Sequence, residues 1–225
     1  MTKKTFLPFL RVYRPNQSAN EELANTVTHG IGALLSLASL VSCVIFASAI
    51  RTEWHIVSFS IYGSSLFLLY SISTVYHSLP ASKAKSLFQM LDHCAIYVFI
   101  AGCYTPLTLI ALRGVWGYTL LGIIWPLAIV GIGMEFYFRL QDKKPPIFLY
   151  VLMGWLICVA LRPIIEYLPT AGIVLFITGG LSYTIGIFFY KAKQIPYNHA
   201  IWHLFVMLGS ILHFICYFCF LLLPA

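Results

Sequence analysis

Two pairs of polar residues, each spaced four apart, stand at the ends of two long apolar stretches. Ser73 and His77 form the first pair, and His199 and His203 form the second. Residues four apart lie on the same face of a helix, and two histidines so placed can bind one metal ion. A catalytic zinc takes three protein ligands and keeps one position for water. His77, His199 and His203 would supply three imidazole ligands for Zn²⁺, although an isolated histidine pair is more often only a feature of the membrane interface.

A carboxylate and a second polar stripe accompany these histidines. Asp92 follows in the next apolar stretch, about one turn into a predicted helix, and is expected to bind the metal's water or to orient a ligand. Ser73 could contact the same water or a substrate oxygen. Glu22, Asn25 and His29 have the spacing of a single helix face and lead into the first apolar stretch.

The elements that position these residues are predicted to be membrane helices. Of the 225 residues, 60% are apolar and only 9% are charged, whereas a soluble domain carries about a quarter charged residues. Long unbroken apolar runs favour helices over the alternating strands of a barrel. We predict one seven-helix transmembrane domain over 29–225 after a cytoplasmic N-terminal segment, 1–28. The predicted helices span about 29–50, 54–79, 87–112, 115–138, 147–166, 169–190 and 199–223.

The basic residues predict the orientation of the bundle. With the N-terminus in the cytoplasm and the C-terminus outside, only Arg51, Arg113 and Arg162 of the 14 basic residues lie outside. The positive-inside rule therefore favours this topology in a multi-pass protein of the bacterial cytoplasmic (inner) membrane. It also explains the net charge of +7 without a nucleic-acid partner. The cytoplasmic basic residues are Lys3, Lys4, Arg11, Arg14, Lys83, Lys85, Arg139, Lys143, Lys144, Lys191 and Lys193.

Other polar residues are assigned structural roles. His213 lies about 15 Å deeper than the histidine pair and is expected to pack in the core or to touch a lipid chain. Glu135 and Arg139, four apart and of opposite sign, are expected to form an ion pair. His93 points about 100° away from Asp92. It is expected to support the metal ligands without binding the metal itself, or to face lipid. Small residues that could allow close helix contacts are Gly63, Ser64, Gly131, Gly133, Gly179 and Gly180.

Three motifs in order resemble the progestin and adipoQ receptor (PAQR) superfamily, and more closely its bacterial hemolysin III branch. They are Glu22-x-x-Asn25-x-x-x-His29, then Ser73-x-x-x-His77 followed by Asp92, and then His199-x-x-x-His203. The resemblance covers nearly the whole chain. It implies seven helices, a cytoplasmic N-terminus, and zinc bound by His77, His199 and His203 close to Asp92. We expect the residues of the first motif to brace helix 1 against the site by hydrogen bonds.

The related adiponectin receptors and alkaline ceramidases suggest a zinc-dependent hydrolase of a membrane lipid amide or ester. Asp92 would act as general base and then return the proton to the leaving group, and Ser73 would help to hold the developing oxyanion. A second hypothesis is a receptor or sensor in membrane lipid homeostasis, in which zinc only ties helices together. A third is a pore-forming cytolysin, which ranks lowest because the strongly polar residues stop at one end of the predicted bundle.

Overall fold

Seven long helices account for almost all of the described chain. The computed structural model describes residues 17–141 and 147–223, and within them seven helices are long and apolar enough to cross a membrane, with no β-strand. The predicted fold class is therefore confirmed. The helices are α1 Ala19–Ile50, α2 Glu53–Ser78, α3 Lys83–Ala111, α4 Val115–Leu140, α5 Phe148–Tyr167, α6 Thr170–Lys191 and α7 Asn198–Leu222.

Part of the predicted organisation lies outside the described residues. This applies to 1–16 of the predicted N-terminal segment, to the 142–146 connection, and to the last two residues of the predicted domain. Six of the basic residues used for orientation are among them, so the topology stays a prediction. These six are Lys3, Lys4, Arg11, Arg14, Lys143 and Lys144.

Helix α1 begins ten residues before its predicted start at 29. The Ser18 hydroxyl accepts a hydrogen bond from the Glu21 N–H (3.3 Å), and the Glu21 carboxylate accepts one from the Ser18 N–H (2.9 Å). This capping box satisfies free N–H groups of the first turn. The first turns are polar, so hydropathy does not detect them. As a result, the first motif lies within α1 instead of leading into it.

Helix α3 also begins earlier than predicted, at Lys83 instead of 87. The Ser82 side chain caps it by accepting a hydrogen bond from the Lys85 N–H at 3.1 Å. Asp92 therefore lies nine residues into α3, about two and a half turns at 3.6 residues per turn. The expectation of one turn was wrong, because a polar first turn precedes the apolar stretch.

The packing order places α3 at the centre. Helix α1 packs against α2 and α7, α2 packs against α3, α3 against α4, and α6 against α7. Helix α3 is the most buried of the seven. Helix α5 has the weakest contacts with its neighbours α3, α4 and α6. This loose packing leaves space between α5 and the helices that carry the polar residues.

A 3₁₀ segment, Leu156–Ala160, interrupts α5. A tyrosine on α3 forms hydrogen bonds with main-chain groups at this interruption. The Tyr104 hydroxyl donates to the main-chain carbonyl of Met153 (2.7 Å) and accepts from the N–H of Ile157 (2.8 Å). A membrane interior offers no water to such groups, so they must be satisfied within the protein. Tyr104 thereby fixes α5 beside α3.

Close helix contacts occur at some of the predicted small residues. A Cβ atom at Gly63 would lie 2.7 Å from the Leu40 side chain, and one at Gly131 would overlap the Tyr97 ring. These contacts draw α2 to α1 and α4 to α3, as small residues do in membrane bundles. Gly133 on α4 faces open space, away from the neighbouring helices. The prediction of a close helix contact at Gly133 was therefore wrong.

Candidate metal centre

The three histidines predicted to bind metal meet at one end of the bundle. His77 lies in the last turn of α2, and His199 and His203 lie in the first two turns of α7. One ring nitrogen from each lies within 4.8 Å of the other two. The ring centroids are 4.5 to 5.1 Å apart. His77 and His203 are buried, and His199 is half-buried.

Hydrogen bonds orient two of the three rings. His77 Nδ1 lies 2.7 Å from a Glu22 carboxylate oxygen, which can only accept, so Nδ1 carries the proton. His203 Nδ1 lies 3.1 Å from the Thr28 hydroxyl. That hydroxyl donates its own hydrogen to a main-chain carbonyl one turn back (2.9 Å), so it accepts from His203 Nδ1–H. Both rings therefore hold a lone pair on Nε2.

These nitrogens fit a divalent cation. The Nε2 atoms of His77, His199 and His203 are all buried without a hydrogen-bond partner among the described residues. Buried polar atoms normally have a partner, and three converging imidazoles leave these atoms unsatisfied together. Three histidines form a ligand set that zinc takes. The carboxylate–histidine pair of Glu22 and His77 is also typical of the surroundings of such ligands.

Glu22 is itself fixed by a buried lysine. Lys85 Nζ lies 3.2 Å from the Glu22 carboxylate and donates to the main-chain carbonyls of Tyr76 and Leu79, both at 3.0 Å. These carbonyls end α2, where a cation is favourable. Lys85 thus holds α1, the end of α2 and the start of α3 together around His77.

The first motif does not act as a uniform set of hydrogen-bonding residues. Glu22 makes the expected bond to the site. Asn25 instead donates to Gln17 (2.6 Å) near the start of its own helix. His29 stacks on the His203 ring, with centroids 3.4 Å apart and an interplanar angle of 16°. His29 therefore braces His203 by ring contact, and neither of its nitrogens has a partner among the described residues.

Asp92 and Ser73 lie side by side at the α2–α3 interface. Ser73 is fully buried near Asp92, and its hydroxyl oxygen has no hydrogen-bond partner among the described residues. Asp92 is also buried, but it lines a large cavity that reaches His199. Ser73 is not among the described residues that line this cavity. The Ser73 hydroxyl is therefore available to a neighbouring acceptor, and its predicted contact with a substrate oxygen stays a prediction.

The cavity has a volume of about 1010 Å³ and runs between α3, α5, α6 and α7. Its wall near the histidines is polar, with Asp92, His93 and His199. Farther along, it is mainly aliphatic and aromatic, with residues such as Phe99, Ile100, Leu107, Val151, Val206 and Tyr217. A cavity of this size with a few polar groups at one end is typical of a small-molecule site.

The chain is similar to known proteins over most of its length. A family model described as "Haemolysin-III related" matches residues 17–214. The chain belongs to this family. It is 48% identical over 206 residues to Hemolysin-3 of Bacillus cereus, covering 92% of this chain and 94% of that protein. It is 47% identical over 196 residues to a Hemolysin-3 homolog of Bacillus subtilis (strain 168), covering 87% and 92%.

A more distant relative supports the wider superfamily of the haemolysin III proteins. The chain is 30% identical over 208 residues to the human Monocyte to macrophage differentiation factor, covering 90% of this chain and 84% of that protein. This similarity supports the predicted placement in the PAQR superfamily. No solved structure matches the chain significantly.

Sequence reasoning missed several residues around the site of this haemolysin III chain. Lys85 entered only as a basic residue for orientation, and Thr28 did not enter at all. Glu135 forms the predicted ion pair with Arg139 (3.7 Å), but it also contacts His93 Nδ1 at 3.0 Å. His93 lines the cavity. Spacing along one helix predicted Glu135 with Arg139, whereas contacts between helices leave no such local signal.

Proposed function

We propose that this chain is a zinc-dependent hydrolase that cleaves an amide or ester bond of a membrane lipid. The observation that carries the proposal is the convergence of three imidazoles near a carboxyl group on a cavity wall. Their Nε2 atoms have no hydrogen-bond partner in the described part of the chain. The resemblance to lipid amidases of the same superfamily supports this reaction class. The apolar part of the cavity suits the acyl chains of such a substrate.

Each residue of the site has a role in this proposal. His77, His199 and His203 would hold zinc, which when bound polarises a carbonyl and acidifies water. Asp92 takes the proton of the attacking water on its carboxylate, and Ser73 keeps that carboxylate in place. Glu22 and Thr28 keep the imidazole lone pairs directed inward. The apolar walls exclude bulk water.

A second candidate is a receptor or sensor in which zinc is structural. It is favoured by the burial of the His77 and His203 Nε2 atoms, which would leave little room for a substrate at the ion. A pore is less favoured, because most of the cavity wall beyond the histidines is apolar and a channel needs polar groups along its whole depth.

We also propose that the chain lies in the inner cell membrane with its N-terminus in the cytoplasm. The basic residues at the described helix ends support this orientation. Lys191 ends α6 and Lys193 follows it, while Arg51 and Arg113 stand at the opposite end of the bundle. The histidine site would then lie beneath the headgroups of the inner leaflet.

The test is metal analysis combined with lipid hydrolysis by the purified protein in detergent. We expect zinc in the wild type, loss of zinc in His203→Gln, and release of fatty acid from at least one lipid amide or ester. Asp92→Asn is expected to keep zinc and to lose turnover. Zinc without turnover on a varied lipid panel would favour the sensor, and a protein without metal would refute both.

A further inference from the structure

A second carboxylate–imidazole pair lies on the wall of the same cavity. His93 on α3 is next to Asp92 in the chain, and its Nδ1 lies 3.0 Å from an oxygen of Glu135 on α4. The Glu135 side chain is 2% exposed, whereas the His93 side chain is 27% exposed. The pair therefore has a buried carboxylate and an imidazole that reaches open space.

Glu135 is held in place from its other side. Arg139 Nε lies 3.7 Å from the same carboxylate oxygen. The Arg139 guanidinium in turn donates to the Ser86 carbonyl (2.8 Å) and to Gln89 Oε1 (2.8 Å) on α3. The carboxylate thus cannot turn away from His93 without breaking contacts between two helices.

This geometry fixes which nitrogen of His93 is available. A carboxylate accepts only, so Nδ1–H points to Glu135 and the free nitrogen is Nε2. Nε2 has no hydrogen-bond partner among the described residues, yet it is not one of their fully buried polar atoms. Because His93 lines the cavity beside Asp92, Nε2 can reach a bound molecule.

We propose that His93, oriented by Glu135, is a second proton-transfer residue of the site and protonates the leaving group. This step rests on the hydrolase function proposed above. Asp92 and His93 point in directions about 100° apart, so they can serve different atoms of one scissile bond. Asp92 serves the attacking water, and His93 serves the nitrogen or oxygen that departs.

Every proton is accounted for in the hydrolysis of an amide. Water oxygen bonds to the carbonyl carbon, and Asp92 takes one water proton. The C–N bond breaks with its electron pair on nitrogen, and the protonated His93 gives its Nε2 proton to that nitrogen. The products are a carboxylic acid and an amine. The proton on Asp92 then returns to His93 through water at the polar end of the cavity, and both residues are restored.

The test compares two substrates that share one acyl chain. One is an amide, whose nitrogen must be protonated to leave, and the other is a nitrophenyl ester, whose leaving group departs as an anion. In His93→Gln we expect kcat on the amide to fall about 10²- to 10⁴-fold and kcat on the ester to fall at least tenfold less. Glu135→Gln, a change of one atom, is expected to shift the same ratio in the same direction.

Controls separate this role from a structural one. His55→Gln and Glu166→Gln match the two substitutions at sites far from the cavity and are expected to leave both rates unchanged. Zinc content and Tm are measured for every variant, and we expect His93→Gln to retain its zinc. Equal losses on both substrates, or none, in both the His93 and Glu135 variants would overturn the leaving-group role while the hydrolase stands. A wild type that cleaves neither these substrates nor any lipid of the panel above would overturn both.

Discussion

At the scale of single residues, the site depends on neighbours that direct each imidazole. Glu22 accepts the Nδ1–H of His77 at 2.7 Å, and Thr28 accepts that of His203 at 3.1 Å. Without these acceptors the rings could present either nitrogen and could rotate. Metal affinity is therefore expected to depend on α1, although α1 supplies none of the three proposed ligands.

Glu22→Gln is predicted to weaken zinc binding about 10- to 100-fold. The amide keeps the shape of the side chain, but it removes the negative charge that faces both His77 and Lys85. Competition with a chromophoric chelator measures the dissociation constant. Glu53→Gln, in the first turn of α2 at the opposite end of the bundle, serves as the control. An unchanged constant in Glu22→Gln would show that this carboxylate does not support the ligand.

At the scale of helices, polar side chains form hydrogen bonds with main-chain groups that lose their usual partners where a helix is interrupted. Such groups would otherwise be left unsatisfied in a membrane. Near its end, α3 becomes π-helical over Leu107–Ala111, and the Leu107 N–H bonds to the Tyr104 carbonyl instead of that of Cys103. The Cys103 carbonyl accepts from the Tyr217 hydroxyl at 3.1 Å. Tyr104 forms such hydrogen bonds at the interruption of α5. Both tyrosines also line the cavity, so these hydrogen bonds hold its walls in place.

Tyr104→Phe is predicted to destabilise the protein by about 1–3 kcal/mol for each group left unsatisfied. The change removes one hydroxyl and leaves the Met153 carbonyl and the Ile157 N–H without this partner. Thermal unfolding in detergent measures the effect. Tyr118→Phe removes an exposed hydroxyl and is expected to leave Tm unchanged. The same small shift in both variants would contradict the role of Tyr104.

Sequence predicts the helices well and their contacts poorly. Hydropathy finds seven helices, because each must satisfy its backbone and match the apolar membrane over about 20 residues. It misses the capped polar starts at Ser18 and Ser82. The i, i+4 rule predicts the histidine pair because both members share one helix. The stacking of His29 on His203 and the bond from His93 to Glu135 depend on how helices rotate against each other, which local spacing does not encode.

At the scale of the whole molecule, the candidate metal site and the polar end of the cavity lie at one end of an otherwise apolar bundle. His77 ends α2, and His199 begins α7. Lys85 and Lys193 also lie at this end, and Arg51 and Arg113 lie at the other. The charge distribution therefore predicts the side of the membrane on which the site lies, and the topology decides which aqueous compartment would reach the proposed metal.

The predicted topology can be tested with single cysteines in a variant whose six native cysteines are replaced. Arg113→Cys, between α3 and α4, is expected to react with a membrane-impermeant maleimide in intact cells. Lys193→Cys, between α6 and α7, is expected to react only after lysis, because the positive-inside rule places that connection in the cytoplasm. Zinc content of both variants shows that the fold is retained. The opposite labelling pattern would place the three histidines at the outer surface and would give the proposed hydrolase an extracytoplasmic source of metal and water.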